Sequence, residues 1–409
     1  MNVSNLPPNL DMVSKISHLI VQSSIITIPY FKRFIIIILF FNTLIFQAQN
    51  NPLSNISYIQ KLIENDSLDK AEKALYKKIE YCKSQKSYDS LTHCINLMSS
   101  FKLEKHNLDK AESLVEFIKK SNNPTLIKDA LLGISNLYFN VRNHKKNYDI
   151  NLEALTYAND INPVKISVLS QIEYNLGTIA INLNNLELAK KHLYTSKKIL
   201  EDNPDIDKEQ FYLTYNSIGR IKARLLELDS SSYYYNKSLK TLYSMGGDAP
   251  INKYFRAAIV KQNIALNLFN SGKTEASIKE AKDAILDYQN FIDITDNEAK
   301  KIRAIKYRMA TIDNLGGFYS GIGDNKSAIA ILTYSYKEKL KTLSEDDPTV
   351  IISTLILGHV HLIAKNFKKA GEYIDKALVR MHITPYYEDY ALSLRASVYE
   401  NDNDIVNAK

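Results

Sequence analysis

A spacing rule limits what this chain can fold into more tightly than any other feature. Gly177, in the run YNLGTIAINLNNLELAKKHLYTS, is followed by Ala189 at +12, Leu193 at +16 and Ser196 at +19. Gly316 is followed by Tyr319 at +3, Gly323 at +7, Ala328 at +12, Leu332 at +16 and Ser335 at +19. Gly358 gives His361, Lys365, Ala370, Ile374 and Ala377 at the same offsets, and Ala265 gives Leu268, Gly272, Ser277, Ala281 and Ala284. Gly219 gives Lys222, Ser231, Tyr235 and Ser238. Fainter copies centre on Ile59, with Ala71 and Leu75, on Ser99, with Ala111 and Val115, and on Ser135. The reference residues thus stand at 59, 99, 135, 177, 219, 265, 316, 358 and 396, separated by 40, 36, 42, 42, 46, 51, 42 and 38 residues.

Within each copy the apolar positions recur at the helical period, with no strand-like alternation after Asn51. A small residue on one helix and another on the next let two helices cross closely, and the larger apolar residues fill the gaps beside them. Glycine at +7 suits a left-handed turn between the two helices. Pro124, Pro163, Pro204, Pro250, Pro348 and Pro385 each fall 10 to 15 residues before a reference residue. Proline lacks an amide proton and fixes φ, so it belongs between helices or in a helix's first turn. One such hairpin cannot bury its own apolar face, so copies must stack. The expected fold is all-α, a right-handed α-solenoid superhelix of stacked helix-turn-helix repeats.

Small-x2-aromatic followed by Ala-x3-aromatic-x2-Ala resembles the tetratricopeptide repeat, whose usual period is about 34 residues. The resemblance covers roughly residues 53–409, and it organises 51–409 as eight repeats plus an incomplete ninth. The period near 42 is similar to the longer variety found in kinesin-light-chain-like and bacterial regulatory arrays. Ala180, Lys222 and Leu268 stand where the family has an aromatic residue. The resemblance implies a non-enzymatic scaffold that takes a protein or peptide in a concave groove.

The first fifty residues read differently. Phe34 to Phe46, FIIIILFFNTLIF, follow Lys32-Arg33 and precede Gln47-Ala48-Gln49. A basic pair, a short apolar core and a polar small-residue stretch form the layout of a secretory signal. About thirty residues precede the basic pair and Phe46 is bulky, so an uncleaved membrane anchor stays open, as does a cytoplasmic location if the segment does not direct export. Residues 1–50 are therefore expected to be a signal peptide or anchor, with the repeats on the outer side of the membrane. At the other end, the ninth copy offers Ala396, Tyr399, Asn403 and Ala408, and Lys409 ends it early in its second helix. This raises the expectation of a longer protein; by resemblance, the missing output would be a membrane histidine kinase or a helix-turn-helix regulator, with this chain as its sensing half.

Composition removes several function classes. Two cysteines in 409 residues leave no multi-cysteine metal module, and Cys82 and Cys94 are expected as buried thiols, with a bridge between them left open. The net charge of +7 is spread along the chain without blocks, so no nucleic-acid partner is expected. Ser271-Gly272-Lys273-Thr274 ends like a phosphate-binding loop, but Asn267 stands where that motif needs glycine, and Gly272 already serves as the repeat turn. Gly321-Ile322-Gly323 is the same kind of turn. His359 and His361 lie about 200° apart around a helix and cannot share a metal. Tyr233, Tyr234 and Tyr235 point in different directions, with Tyr235 in the packing position. No catalytic residue, cofactor or metal is expected.

What remains is the face that the first helix of each pair turns inward. It holds Asn136, Tyr174, Asn175, Asn182, Asn216, Arg220, Arg224, Gln262, Asn263, Asp313 and Asn314. A carboxamide donates and accepts at once, which suits the backbone of a bound peptide. Arg220 and Arg224, one turn apart, could hold a carboxylate.

Overall fold

The computed structural model describes residues 56–64, 67–98, 105–245, 249–341 and 343–401. The apolar segment 34–46 and the end of the ninth copy lie outside the described residues. Every described element is helical, and no described helix is long and apolar enough to cross a membrane.

The helices come in consecutive pairs, A then B. The first four pairs are Ile56–Glu64 with Leu68–Ser84, Tyr88–Met98 with Lys105–Lys119, Pro124–Asn140 with His144–Asn159, and Ile166–Asn182 with Leu186–Asp202. Lys208–Arg224 and Leu228–Ser244 are the A and B helices of the fifth copy. Three pairs follow: Ala257–Asn270 with Thr274–Ile294, Glu298–Gly321 with Asn325–Leu340, and Pro348–Ile363 with Phe367–Leu378. Glu388–Asn401 is the ninth A helix. The chain divides into two compact units at Leu226/Glu227. In the first unit, neighbouring hairpins share one core that runs from Ile59 to Leu176. The second unit holds three clusters, around Leu315, Ile374 and Tyr288. Each unit is a stack of helix-turn-helix hairpins, so the all-α solenoid class expected from the spacing is the one observed.

The register is the predicted one, residue by residue. From the third to the eighth copy the +12 residues are Asn147, Ala189, Ser231, Ser277, Ala328 and Ala370, and none exceeds 2% exposure. The +16 and +19 positions are equally closed, Leu193 and Ser196 in one copy and Leu332 and Ser335 in another all at 0%. A Cβ added to Gly177 would lie 2.5 Å from Leu193 Cγ, one on Gly316 2.5 Å from Leu332 Cγ, and one on Gly358 2.6 Å from Ile374 Cγ1. The reference glycine is thus small because the +16 side chain lies directly on its backbone. Serine at +19 is tolerated in the core because its hydroxyl finds a carbonyl on helix A: Ser196 donates to Ser170 O at 3.0 Å and Ser335 to Met309 O at 3.3 Å.

The turn at +7 is left-handed in all six of these copies, but only Gly272 and Gly323 are glycine there. Arg142, Asn184, Leu226 and Lys365 adopt φ of 57–59° at the same position. The next residue's amide returns to the carbonyl at +3, as in Asn185 N to Ala180 O at 2.9 Å and Asp324 N to Tyr319 O at 2.9 Å, closing the helix end in a Schellman-type turn. That next residue is also the N-cap of helix B. Asn143, Asn185 and Asp324 each accept the amide three residues on. One residue therefore ends helix A and the following one begins helix B. Pro124 and Pro348 open their helices behind the caps Asn123 and Asp347, Pro250 caps the π-helical turn Ile251–Arg256 that leads into the sixth A helix, Pro385 opens a 3-10 turn before the ninth, and Pro163 and Pro204 sit in inter-hairpin links.

The third copy looked faint because its crossing is polar. Ser135 Oγ donates to Asn147 Oδ1 at 2.7 Å, and Asn151 Nδ2 reaches Ser135 Oγ at 2.8 Å, all three residues being buried. The wide spacing from 265 to 316 comes from two long helices, of 21 and 24 residues. Cys82 and Cys94 are both buried and free, and burial pushes the Cys94 thiol up to about 12, so it stays protonated.

Candidate functional site

In the first unit the exposed flank of helix A is carried by the residues at +1 and +5 from each reference residue, which share a face at i and i+4; the −3 residue, one turn earlier on that face, is half-buried or buried. In the first unit this flank carries Asn136 and Asn140, then Tyr174, Thr178 and Asn182, then Arg220 and Arg224. Asn136, Asn182, Arg220 and Arg224 are exposed, and Tyr174 and Asn175 are half-buried. Asn175 accepts from Gln171 Nε2 at 2.9 Å. Arg224 Nη1 donates to Ile181 O at 3.2 Å, tying the C-terminal ends of two neighbouring A helices together. An arginine so engaged caps its neighbour's last turn and adds positive charge at the negative end of that helix.

Of the eleven expected residues, Asn175, Asn263 and Asn314 stand at −2, beside this flank, and Asn216 and Asp313 stand at −3 and are buried. Asn216 is only 8% exposed. Asp313 is 5% exposed and belongs to a buried cluster: Lys339 Nζ lies 2.5 Å from its Oδ2, and Ser353 Oγ donates to the same oxygen at 2.6 Å. In the second unit Gln262, Asn263 and Asn314 are half-buried, and Gln262 accepts from Tyr288 OH at 3.1 Å. There the flank is less polar, carrying Leu266 and Gly317 at +1.

A polar relay escaped the sequence. Tyr148 OH lies 2.7 Å from His192 Nε2, and His192 Nδ1 lies 2.7 Å from Glu173 Oε2. Hydroxyl, imidazole and carboxylate in a row are the parts of a nucleophilic triad. Burial, with the charges of Glu173 and Asp149, holds the Tyr148 phenol above its ordinary range, so it is the wrong partner for that chemistry. The relay instead joins the third hairpin to the fourth through groups that satisfy one another. Its signal in the sequence was a histidine on the stripe Ala189, His192, Leu193, Ser196, where a buried imidazole needs partners on both nitrogens.

Two histidines of the eighth A helix have aromatic partners. His361 stacks on Tyr373 with centroids 5.5 Å apart, and His359 Nδ1 lies 2.7 Å from Tyr390 OH. Tyr235 is buried and Tyr233 exposed, as their positions on the helix require. Burial holds His144, His359 and His361 below the ordinary 6.5. Below that value the unfolded chain binds more protons than the folded one, so these three residues withdraw stability as pH falls. Urea denaturation should give a lower midpoint at about pH 5.5 than at about pH 7.5, with a smaller drop in His361→Phe. An unchanged drop would remove His361 from the account.

Two depressions open on the first unit. One, about 680 Å³, is lined by Ser167, Asp202, Asn203, Asp205, Asp207 and Gln210 among others. The second, about 430 Å³, is lined by Phe139, Asn140, Arg142, His144 and Asn182. Among the described residues no group of three or more His, Cys, Asp or Glu could hold a metal ion.

No family model and no curated protein matches the chain. Solved structures do. The Rap conjugation gene regulator of plasmid pLS20, in complex with the Phr* peptide, superimposes with a TM-score of 0.55 at 14% identity, over 86% of this chain and 92% of that one. A Rap protein complexed with Competence and Sporulation Factor gives 0.52 at 15% identity, over 78% and 84%. A tetratricopeptide repeat protein from Parabacteroides merdae gives 0.52 at 16% identity, over 76% and 99%. With the offsets, the left-handed +7 turns and the paired helices, these likenesses make this chain a tetratricopeptide-like helical repeat protein.

Proposed function

We propose that the protein is a non-enzymatic recognition scaffold that binds a peptide segment along the exposed flank of its A helices, chiefly in the unit ending at Leu226. The observation that carries this reading is the row Asn136, Asn182, Arg220 and Arg224, exposed and polar on consecutive A helices. Carboxamides pair with both kinds of backbone group, and arginine with a carboxylate, so the row suits an extended chain. Two structures of similar fold were solved with a Phr* peptide and with Competence and Sporulation Factor, which is in keeping with this use of the fold. The basic pair and apolar run at 32–46 support placing the scaffold on the outer side of a membrane. A reporter fused after residue 60 reads that location separately.

The test is selection of a random peptide library on the full-length chain, followed by comparison with Asn136→Ala/Arg220→Ala. Both residues are exposed, so the fold should be unaffected. Selected peptides should bind the wild type and lose about tenfold or more in affinity for the variant. Equal binding to both would move recognition off this flank.

A further inference from the structure

The turns of the third and fourth hairpins and the end of the fifth A helix lie side by side on one edge of the first unit. Phe139 and Asn182 line one depression, and Arg224 Nη1 on the fifth A helix donates to Ile181 O on the fourth at 3.2 Å. This edge is apolar at its tips. Phe139 is 55% exposed and Leu226 75%, and Val141 and Leu183 are exposed in the third and fourth turns. Single exposed apolar residues are ordinary on a protein surface, but a run of them at successive turns is not. Leu226 is the least expected of the four. It holds φ at 58°, in the left-handed region, where Asn184 and Gly272 stand in other copies. Leucine has neither glycine's freedom there nor asparagine's local hydrogen bonds, and most of its side chain lies in solvent. The same edge is basic, with exposed Arg142, Lys145, Lys146 and Arg224 against Glu187. Lys146 pairs with Glu112 and Arg224 is engaged on Ile181 O, which leaves Arg142 and Lys145 to face outward. The opposite edge, where one hairpin links to the next, gathers Asp202, Asp205 and Asp207 at one link and has Asp160 at the link before. Val164 and Ile166 are exposed on that acidic edge.

Apolar tips set in a basic edge suit a partner that is negative at its surface and apolar just beneath. We propose that this turn edge docks on an anionic lipid bilayer. Phe139, Val141, Leu183 and Leu226 enter the boundary between headgroups and acyl chains, and Arg142 and Lys145 meet the headgroups. The apolar residues are spread one or two to a turn along the edge, not gathered into a pocket that would hold one side chain of a partner. A bilayer takes such a row because it is soft and offers the same surface to every turn. The acidic opposite edge is repelled by the same headgroups, which fixes the edge that faces the lipid. The docking is independent of the peptide-binding reading and of the apolar segment at 34–46.

Two variants of the full-length chain carry the environment-sensitive fluorophore NBD, Leu226→Cys on the turn edge and Val164→Cys on the opposite edge. Cys82 and Cys94 are buried, so the folded chain takes the label at the new thiol. Vesicles are made of phosphatidylcholine alone or mixed with phosphatidylglycerol. The probe at 226 should brighten and shift to the blue on mixed vesicles and respond far less on phosphatidylcholine, while the probe at 164 keeps its emission in buffer. In vesicle sedimentation of the unlabelled chain, Arg142→Asn/Lys145→Gln should bind mixed vesicles about tenfold or more weakly. Leu226→Asn should also bind more weakly, with its urea midpoint level or raised, because asparagine tolerates the left-handed turn. A purely structural role for Leu226 predicts the reverse, a lower midpoint and unchanged binding. Binding that leaves the 226 probe unchanged, as attachment through the segment at 34–46 alone would give, overturns the proposal. So do equal affinities for neutral and mixed vesicles, undiminished binding by Leu226→Asn, and no binding at all. Self-association of the wild type that Leu226→Asn abolishes, without vesicle binding, would assign the edge to a second copy of the chain instead.

Discussion

Asp313→Ala alone should cost about 3–5 kcal/mol of stability. Lys339 is 3% exposed, and the groups around its ammonium include Asp313 Oδ2 at 2.5 Å, Ser353 Oγ at 2.5 Å and Thr349 O at 3.2 Å. Asp313 and Lys339 come from the A and B helices of the seventh hairpin, and Ser353 and Thr349 from the A helix of the eighth, so one cation joins two repeats. Removing the carboxylate leaves a buried, uncompensated charge. Removing both charges with apolar residues of similar size does not: Asp313→Leu with Lys339→Met should return to within about 1.5 kcal/mol of wild type, or exceed it. Chemical denaturation of the single and double variants reads this directly. A surface role for Asp313 predicts instead a change within about 0.5 kcal/mol for the alanine variant.

The second large effect separates two adjacent glycines. Gly316→Ala should destabilise by about 1–3 kcal/mol, because the new methyl would meet Leu332 Cγ at 2.5 Å and two more Leu332 carbons within 3.1 Å. Gly317→Ala, one residue on in the same helix, has nothing within 4 Å of the new carbon. There the alanine should add about 0.5–1 kcal/mol, the usual gain from replacing glycine inside a helix. Opposite signs at neighbouring positions are hard to obtain from helix propensity alone. Losses of equal size at both sites would show that the helices do not cross at Gly316.

These cases mark what the sequence could carry. The crossing at Gly316 was legible because close approach demands a small residue, and its partner recurs at a fixed distance. The left-handed turn at Gly272 and Gly323 was legible because glycine takes positive φ freely, whereas Arg142, Asn184, Leu226 and Lys365 take the same conformation without a local sign. Their φ is imposed by the helices on either side, whose register is fixed by packing. The polar crossing of Ser135, Asn147 and Asn151 was hidden because its small-residue pattern is replaced by hydrogen bonds that only the folded hairpin assembles. Asp313 was placed on the binding flank because an acidic residue beside Asn314 reads as surface. The missing information was 26 residues away: Lys339 continues the buried stripe Leu332, Ser335, Tyr336, where a cation demands a carboxylate. The exposed row of Asn136, Asn182, Arg220 and Arg224 needed only the helical period, and the depression at Phe139 needed two helix ends to meet.

The central claim is that the A-helix flank, and not the B helices, is where a peptide lies. A photo-crosslinking residue at Thr178, on the flank of the fourth A helix, can be compared with one at Lys191, exposed on the B helix of the same hairpin. With a library-selected peptide bound to the full-length chain, the adduct should form from position 178 and not from 191, and excess unlabelled peptide should abolish it. Adducts from 191 alone, or equally from both, would contradict the account.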